Sequence, residues 1–125
     1  WIVPLWTVAV GAAAIVAAGL GIPHAVVTGL AERNWGALEA KPQALRGPGA
    51  TPPGAETVDQ FVSRTRTALA EIDARGTPLI VAHSGTFRVL CRLLALDAGE
   101  PISNCHPVRF TPSPRAGGRW ILELL

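Results

Sequence analysis

Residues 78–90 read Pro78-Leu79-Ile80-Val81-Ala82-His83-Ser84-Gly85-Thr86-Phe87-Arg88-Val89-Leu90. Four residues with β character, Leu79–Ala82, lead into a His-Ser-Gly turn, and an apolar helical pattern follows that turn. A His between the carboxyl end of a buried strand and a helix lies where α/β proteins bind ligands. The free N–H groups and dipole of the helix favour an anion there, and a protonated imidazole would add charge-assisted donors. The stretch predicts either a phosphate site at His83 or a His that merely caps the helix.

The composition indicates one globular domain. The 125 residues suffice for a modest core, and a hydrophobic content of 49% excludes a disordered chain. The formal net charge is only +2 and no basic run occurs, which argues against nucleic acid as a partner. Cys91 and Cys105 show neither metal-ligand spacing nor a disulfide framework, so we expect free thiols and a cytoplasmic location.

Residues 1–30 contain no Asp, Glu, Lys or Arg. An uncharged stretch of this length can hold a membrane span of ~20 residues, so a domain anchored through residues 1–29 is one alternative. Proline and glycine residues interrupt the stretch, however, and favour a helix over Ala9–Leu20 and a strand over His24–Thr28. We therefore expect no membrane partner.

Strand and helix patterns alternate along the rest of the chain. The predicted elements are a helix over Thr57–Arg75, a buried strand over Leu79–Ala82, a helix over Gly85–Leu96 and two terminal strands over Val108–Thr111 and Arg119–Leu124. Thr57 and Gln60 have capping-box spacing, and Thr65 fills an otherwise apolar stripe. This alternation indicates a layered α/β domain.

A second dense motif spans residues 30–39, Leu30-Ala31-Glu32-Arg33-Asn34-Trp35-Gly36-Ala37-Leu38-Glu39. It places a carboxylic acid beside an arginine, after a predicted strand. In phosphoryl chemistry the acid can protonate a leaving oxygen while the arginine holds the phosphate or an acidic substrate group. A solvated charged loop explains the same residues, since charged side chains are mostly exposed.

Four motifs follow one another along the chain: Leu30-x-Glu32-Arg33-x-Trp35-Gly36-x-x-Glu39, Pro53-Gly54-Ala55-Glu56-Thr57, Val81-Ala82-His83-Ser84-Gly85-Thr86-Phe87-Arg88 and Ser103-Asn104. In this order the chain resembles the histidine phosphatase superfamily, the phosphoglycerate-mutase-like group, over about residues 1–124. The resemblance implies a single three-layer α/β/α sandwich over residues 1–125 and phosphoryl transfer through a phosphohistidine. It implies no metal or organic cofactor, and a small phosphorylated metabolite as partner.

The resemblance also implies a role for each matching residue. His83 would be the second active-site His, which binds the transferring phosphoryl group, and Glu32 would protonate the leaving group. The implied substrate- and phosphate-binding residues are Arg33, Ser84, Gly85 and Asn104. Of these, Ser84 and Gly85 would shape the turn after His83, and Asn104 would lie at the pocket rim.

Two parts of the family pattern are missing from these 125 residues. The family nucleophile lies in an Arg-His-Gly motif, and no such tripeptide occurs here. Thr7 stands where the family has a phosphate-clamping arginine. We therefore expect an N-terminally truncated phosphomonoesterase domain that is inactive as given, with an unpaired sheet edge beside Leu79–Ala82, exposed apolar surface and self-association through that edge.

Three alternatives remain beside the phosphatase. A non-catalytic phosphate-binding pseudophosphatase would keep the pocket without turnover. A phosphoglycerate mutase is disfavoured because only a short loop separates the Glu32 and Glu56 motifs, where the mutases of the family carry a long insertion. The third alternative is the membrane-anchored domain described above.

Overall fold

The computed structural model describes residues 5–47, 49–72, 75–113 and 119–125, with side chains from residue 8 onward. Its regular elements are helices α1 (Leu5–Leu20), α2 (Val58–Ala70) and α3 (Ser84–Leu93) and strands β1 (Val108–Ser113) and β2 (Arg119–Leu124). Three short 3₁₀ turns between α1 and α2 cover Thr28–Leu30, Gly36–Leu38 and Gln43–Leu45. The two strands pair antiparallel, with Val108 opposite Leu124 and Ser113 opposite Arg119, as the predicted terminal pair requires.

The first helix is apolar on all sides and mostly exposed. It ends where the sequence predicts: Gly21 adopts φ +64°, and the Ile22 N–H donates to the Ala17 carbonyl at 3.0 Å, which satisfies a terminal carbonyl. Ile15 is 75% exposed, whereas Ala17 is buried. Of the helices in the described ranges, none combines the length and the apolar character that a membrane crossing requires.

The start of α2 follows the predicted capping box. The Thr57 hydroxyl accepts from the Gln60 N–H at 3.1 Å, and the Gln60 side chain accepts from the Thr57 N–H at 2.8 Å. These reciprocal bonds satisfy two N–H groups at the helix start. The helix ends at Ala70 rather than at Arg75, because the next two N–H groups bond to carbonyls three residues back and tighten the last turn.

The core lies between α2 and α3. It is formed by Phe61, Val62 and Val89, with Val58 and Leu93 at its edge. Thr65 is fully buried, which confirms its place in the predicted stripe. Cys91 is a buried free thiol, as expected, and burial raises the pKa of that thiol.

Two predicted strands are absent: neither His24–Thr28 nor Leu79–Ala82 pairs with another segment in the described part of the chain. An extended segment becomes a strand only where neighbouring backbone completes its hydrogen-bond ladder. Leu79 is 58% and Ile80 is 37% exposed, so the prediction of a buried strand there is wrong, while the expected exposed apolar surface is present. The described residues contain three helices and a two-stranded sheet, which fits the α/β class, and the three-layer α/β/α sandwich stays a prediction.

We expect the 125-residue chain to self-associate, because apolar side chains of α1 and of residues 79–80 are exposed. Sedimentation velocity over a concentration series measures the fraction of monomer. The double variant Leu79→Lys/Ile80→Lys should raise that fraction, whereas Gln43→Lys, at an exposed polar site in a 3₁₀ turn, should leave it unchanged. A monodisperse monomer at every concentration would contradict the expectation.

Candidate functional site

The Glu32 carboxylate lies at the N-terminus of α3. Its Oε2 accepts from the Gly85 N–H at 3.1 Å, and its Oε1 accepts from the Arg33 N–H at 2.8 Å. A Cβ at Gly85 would overlap this carboxylate, so glycine is needed for the close approach. The first N–H groups of a helix and its dipole favour a negative charge. The position that the sequence assigns to a phosphate is thus filled by an internal carboxylate.

His83 is the residue that precedes α3. Its backbone is extended, with φ −78° and ψ 164°, and its carbonyl accepts the Phe87 N–H at 3.2 Å. His83 is therefore the N-cap residue of α3, although within the described residues its imidazole makes no capping hydrogen bond to the helix. His83 is two residues from Gly85, so the structure brings Glu32 and His83 to the same helix end. Their catalytic roles stay predictions.

Ser84 and Asn104, which are also predicted around the phosphate, are exposed. Ser84 is the first residue of α3. Asn104 lies in an exposed turn that the His106 N–H closes on the Ser103 carbonyl at 3.3 Å, and its place beside a phosphate stays a prediction. Thr7 lies in α1, and its side chain is outside the described residues.

A shallow cavity of about 440 Å³ lies elsewhere in the molecule. Its lining comprises Asp97, Ala98, Gly99, Glu100, Pro101, Ile102, Ser103, His106, Leu122 and Leu124. None of the six predicted site residues belongs to this lining. The cavity is therefore separate from the Glu32 carboxylate and the α3 N-terminus.

Arg33 is buried, with 6% of its surface exposed, and it holds the loop of residues 50–56. Its Nε donates to the Glu56 carbonyl at 2.8 Å, and its Nη2 donates to the Ala50 carbonyl at 2.7 Å and to the Thr51 hydroxyl at 3.3 Å. Its guanidinium also stacks on the Trp35 ring, 4.5 Å from the ring centre. These contacts give Arg33 a structural task, and its contact with substrate stays a prediction.

The two loop motifs dock on each other through backbone groups. The Ala37 N–H donates to the Pro53 carbonyl at 3.0 Å, and the Glu56 N–H donates to the Asn34 carbonyl at 3.0 Å. Gly36 has φ +53°, and a Cβ there would overlap the backbone of residues 53–55. The glycine is required both by this conformation and by the close approach.

Arg64 of α2 is a site residue that sequence reasoning missed. Its Nε and Nη2 each donate to one oxygen of Glu56, both at 2.8 Å. The hydrogen bond from Arg64 holds the pKa of the Glu56 carboxyl below its usual range, although burial opposes the shift. The one sequence signal is position: Arg64 is three residues after buried Phe61 and adjacent to buried Thr65.

Gly29 permits the segment that leads to Glu32 to approach α2. A Cβ at Gly29 would lie 2.5 Å from the Ala68 Cβ. We expect Gly29→Ala to lower the free energy of unfolding by about 1 kcal/mol through overpacking, as measured by urea unfolding. Gly11→Ala is the control: nothing lies within 4 Å of that Cβ position in α1, so this variant should gain up to about 1 kcal/mol of stability, because Ala is the better helix former. Equal stability of the two variants would show that the segment does not pack tightly on α2.

A protein-family model matches most of the chain. The model of the histidine phosphatase superfamily (branch 1) matches residues 9–119. This range includes all six predicted site residues, and Thr7 lies outside it. No curated protein and no solved structure was found to match.

Proposed function

Because the chain belongs to the histidine phosphatase superfamily (branch 1), we propose that the α3 N-terminus with His83 and Glu32 is the phosphate end of a phosphomonoesterase site. One observation supports this proposal above the others: an acid and a histidine from distant parts of the sequence meet at one helix end. The substrate class is a small phosphorylated metabolite.

The proposed chemistry divides between these two side chains. His83 donates hydrogen bonds to the phosphoryl oxygens, next to the N–H groups of α3. As the P–O bond of the ester breaks, the Glu32 carboxyl protonates the leaving oxygen and the phosphoryl group passes to the nucleophile. In the family that nucleophile is the His of an Arg-His-Gly motif, which these 125 residues do not contain. Glu32 must leave the Gly85 N–H to perform that step, because its Oε2 occupies the position that a phosphoryl oxygen would take.

The phosphatase branch is favoured over the mutase branch by the loop between the two motifs. The Glu56 N–H bonds to the Asn34 carbonyl, so the two motifs lie side by side and only a short loop separates them, where the mutases of the family carry a long insertion. The buried Arg33 side chain fixes this loop by donating hydrogen bonds to the Ala50 and Glu56 carbonyls. Free Cys91 and Cys105 support a reducing, cytoplasmic setting for the phosphatase.

We expect the 125-residue chain to bind phosphate without hydrolysing a phosphomonoester. It contains no Arg-His-Gly tripeptide, and loss of a covalent nucleophile removes most of the rate. A chromogenic aryl phosphate assays turnover, and ¹⁵N NMR titration with inorganic phosphate assays binding. Turnover that His83→Ala abolishes would contradict the expected inactivity.

The binding arm tests the site itself. Loss of charge-assisted hydrogen bonds predicts that His83→Ala weakens phosphate binding by about tenfold or more. His24→Ala is the matched control, because His24 is exposed and lies in another part of the chain. Equal phosphate affinity in the two variants, or no binding by the parent chain, would overturn the proposed site.

A further inference from the structure

Four consecutive carbonyls lead up to the Glu32 side chain, and side chains of two helices hold all of them. Arg64 of α2 donates from Nη1 to the carbonyls of Gly29, at 2.8 Å, and Ala31, at 3.1 Å, and from Nη2 to that of Glu32, at 3.4 Å. The Thr86 hydroxyl of α3 donates to the carbonyl of Leu30 at 3.1 Å. These side chains supply the hydrogen-bond donors for the carbonyls of residues 29–32, as the backbone N–H groups of a neighbouring strand would in a sheet.

The same arginine is itself fixed by Glu56. The two guanidinium–carboxylate bonds of 2.8 Å are parallel and charge-assisted, so the planar group has one preferred orientation. Glu56 also accepts the Asn34 N–H at 3.4 Å on Oε2. The ion pair therefore joins α2 to the backbone on both sides of Glu32.

We propose that Arg64 is the positioning residue of Glu32, which it holds at the α3 N-terminus through the backbone carbonyls of residues 29, 31 and 32. Within the described residues Arg64 makes no hydrogen bond to the Glu32 carboxylate and acts on it directly only as a nearby charge. Its hydrogen bonds fix the backbone from which that side chain reaches Gly85. Arg64 is the member of the set that cannot be replaced by another cation, since one ammonium nitrogen cannot span two carboxylate oxygens and three carbonyls. The inference rests on the proposed function only for the chemical role of Glu32.

Arg64→Lys tests the proposal in the full chain without added phosphate. The readout is the amide resonance of Gly85, whose position reports the hydrogen bond to Glu32. Glu32→Ala, which removes the acceptor, defines the shift of an unbonded Gly85 amide. We expect Arg64→Lys to move the Gly85 resonance at least halfway toward that value. Arg66→Lys, on an exposed face of the same helix, should leave it unchanged.

The outcomes separate positioning from simple stabilisation. A folded Arg64→Lys chain with the parent Gly85 shift would overturn the proposal, even if its melting temperature fell. Should Arg64→Lys fail to fold, Glu56→Gln serves as the second variant: it keeps Arg64 but loosens it, and a parent-like Gly85 shift would again overturn the proposal. Absence of phosphate binding by the parent chain would refute the proposed function and leave this result intact.

Discussion

Arg33→Met is expected to lower the free energy of unfolding by about 3 kcal/mol, because it leaves the partly buried carbonyls of Glu56 and Ala50 without their donor, at roughly 1–3 kcal/mol each. The substitution removes the donors to the Glu56 and Ala50 carbonyls and to the Thr51 hydroxyl. It also removes the stacking of the guanidinium on Trp35. Urea unfolding monitored by tryptophan fluorescence measures the loss.

Arg66→Met is the matched control for this prediction. Arg66 lies in α2 and is exposed, so its replacement should change stability by no more than about 0.5 kcal/mol. If Arg33→Met keeps the parent stability and instead loses phosphate binding, the arginine serves the ligand and not the loop of residues 50–56. The experiment thus separates the role that the family resemblance implies from the role that the contacts support.

Local signals predicted the helices because their causes lie within a few residues. The capping box needs only Thr57 and Gln60, which are three residues apart, and both of its bonds are present. The end of α1 needs only the left-handed conformation of Gly21. The stripe that buries Thr65 repeats at helical spacing, so it too can be predicted from one stretch of sequence.

The strands separate into two cases for a physical reason. Residues 108–113 and 119–124 pair with each other as antiparallel strands, so each strand has its partner close by in the sequence. Residues 79–82 have the apolar pattern of a buried strand, but a parallel strand needs a partner that is distant in the chain, and no described segment supplies one. Side-chain pattern predicts the tendency toward a strand, whereas pairing decides it.

The site was predicted in part for a related reason. Glu32 and His83 were identified from motifs, and their meeting at one helix end depends on the fold between them. Nothing in the motifs indicates that Arg64 holds three carbonyls of residues 29–32, because backbone acceptors have no sequence signature. For Arg33 the opposite holds: its motif predicts a contact with substrate, whereas the buried side chain binds the loop of residues 50–56 in the protein itself.

Glu56→Gln is expected to lower the free energy of unfolding by about 2 kcal/mol at pH 7, a value typical of a hydrogen bond to a charged group. The carboxyl is largely buried, with 14% of its side chain exposed, and it binds Arg64 through both oxygens. The amide of Gln can keep one of these contacts but carries no charge.

The loss of stability caused by Glu56→Gln should disappear at low pH. The folded pKa of Glu56 lies below its ordinary value of 4.5, chiefly because of the hydrogen bond from Arg64. A carboxyl with a depressed folded pKa contributes its stability fully above the unfolded value and loses it as the pH falls through the folded value. Urea unfolding from pH 7 down to pH 2 should therefore show a constant gap in the free energy of unfolding between parent and variant above about pH 5.5, and a gap that closes below pH 4.5.

Glu123→Gln is the control. The ion pair of Glu123 with Arg109 spans 3.6 Å and is exposed, so the gap for this variant should stay small at every pH. A gap for Glu56→Gln that persists unchanged in acid would mean that the shape of the side chain, and not its charge, stabilises the loop around Glu32.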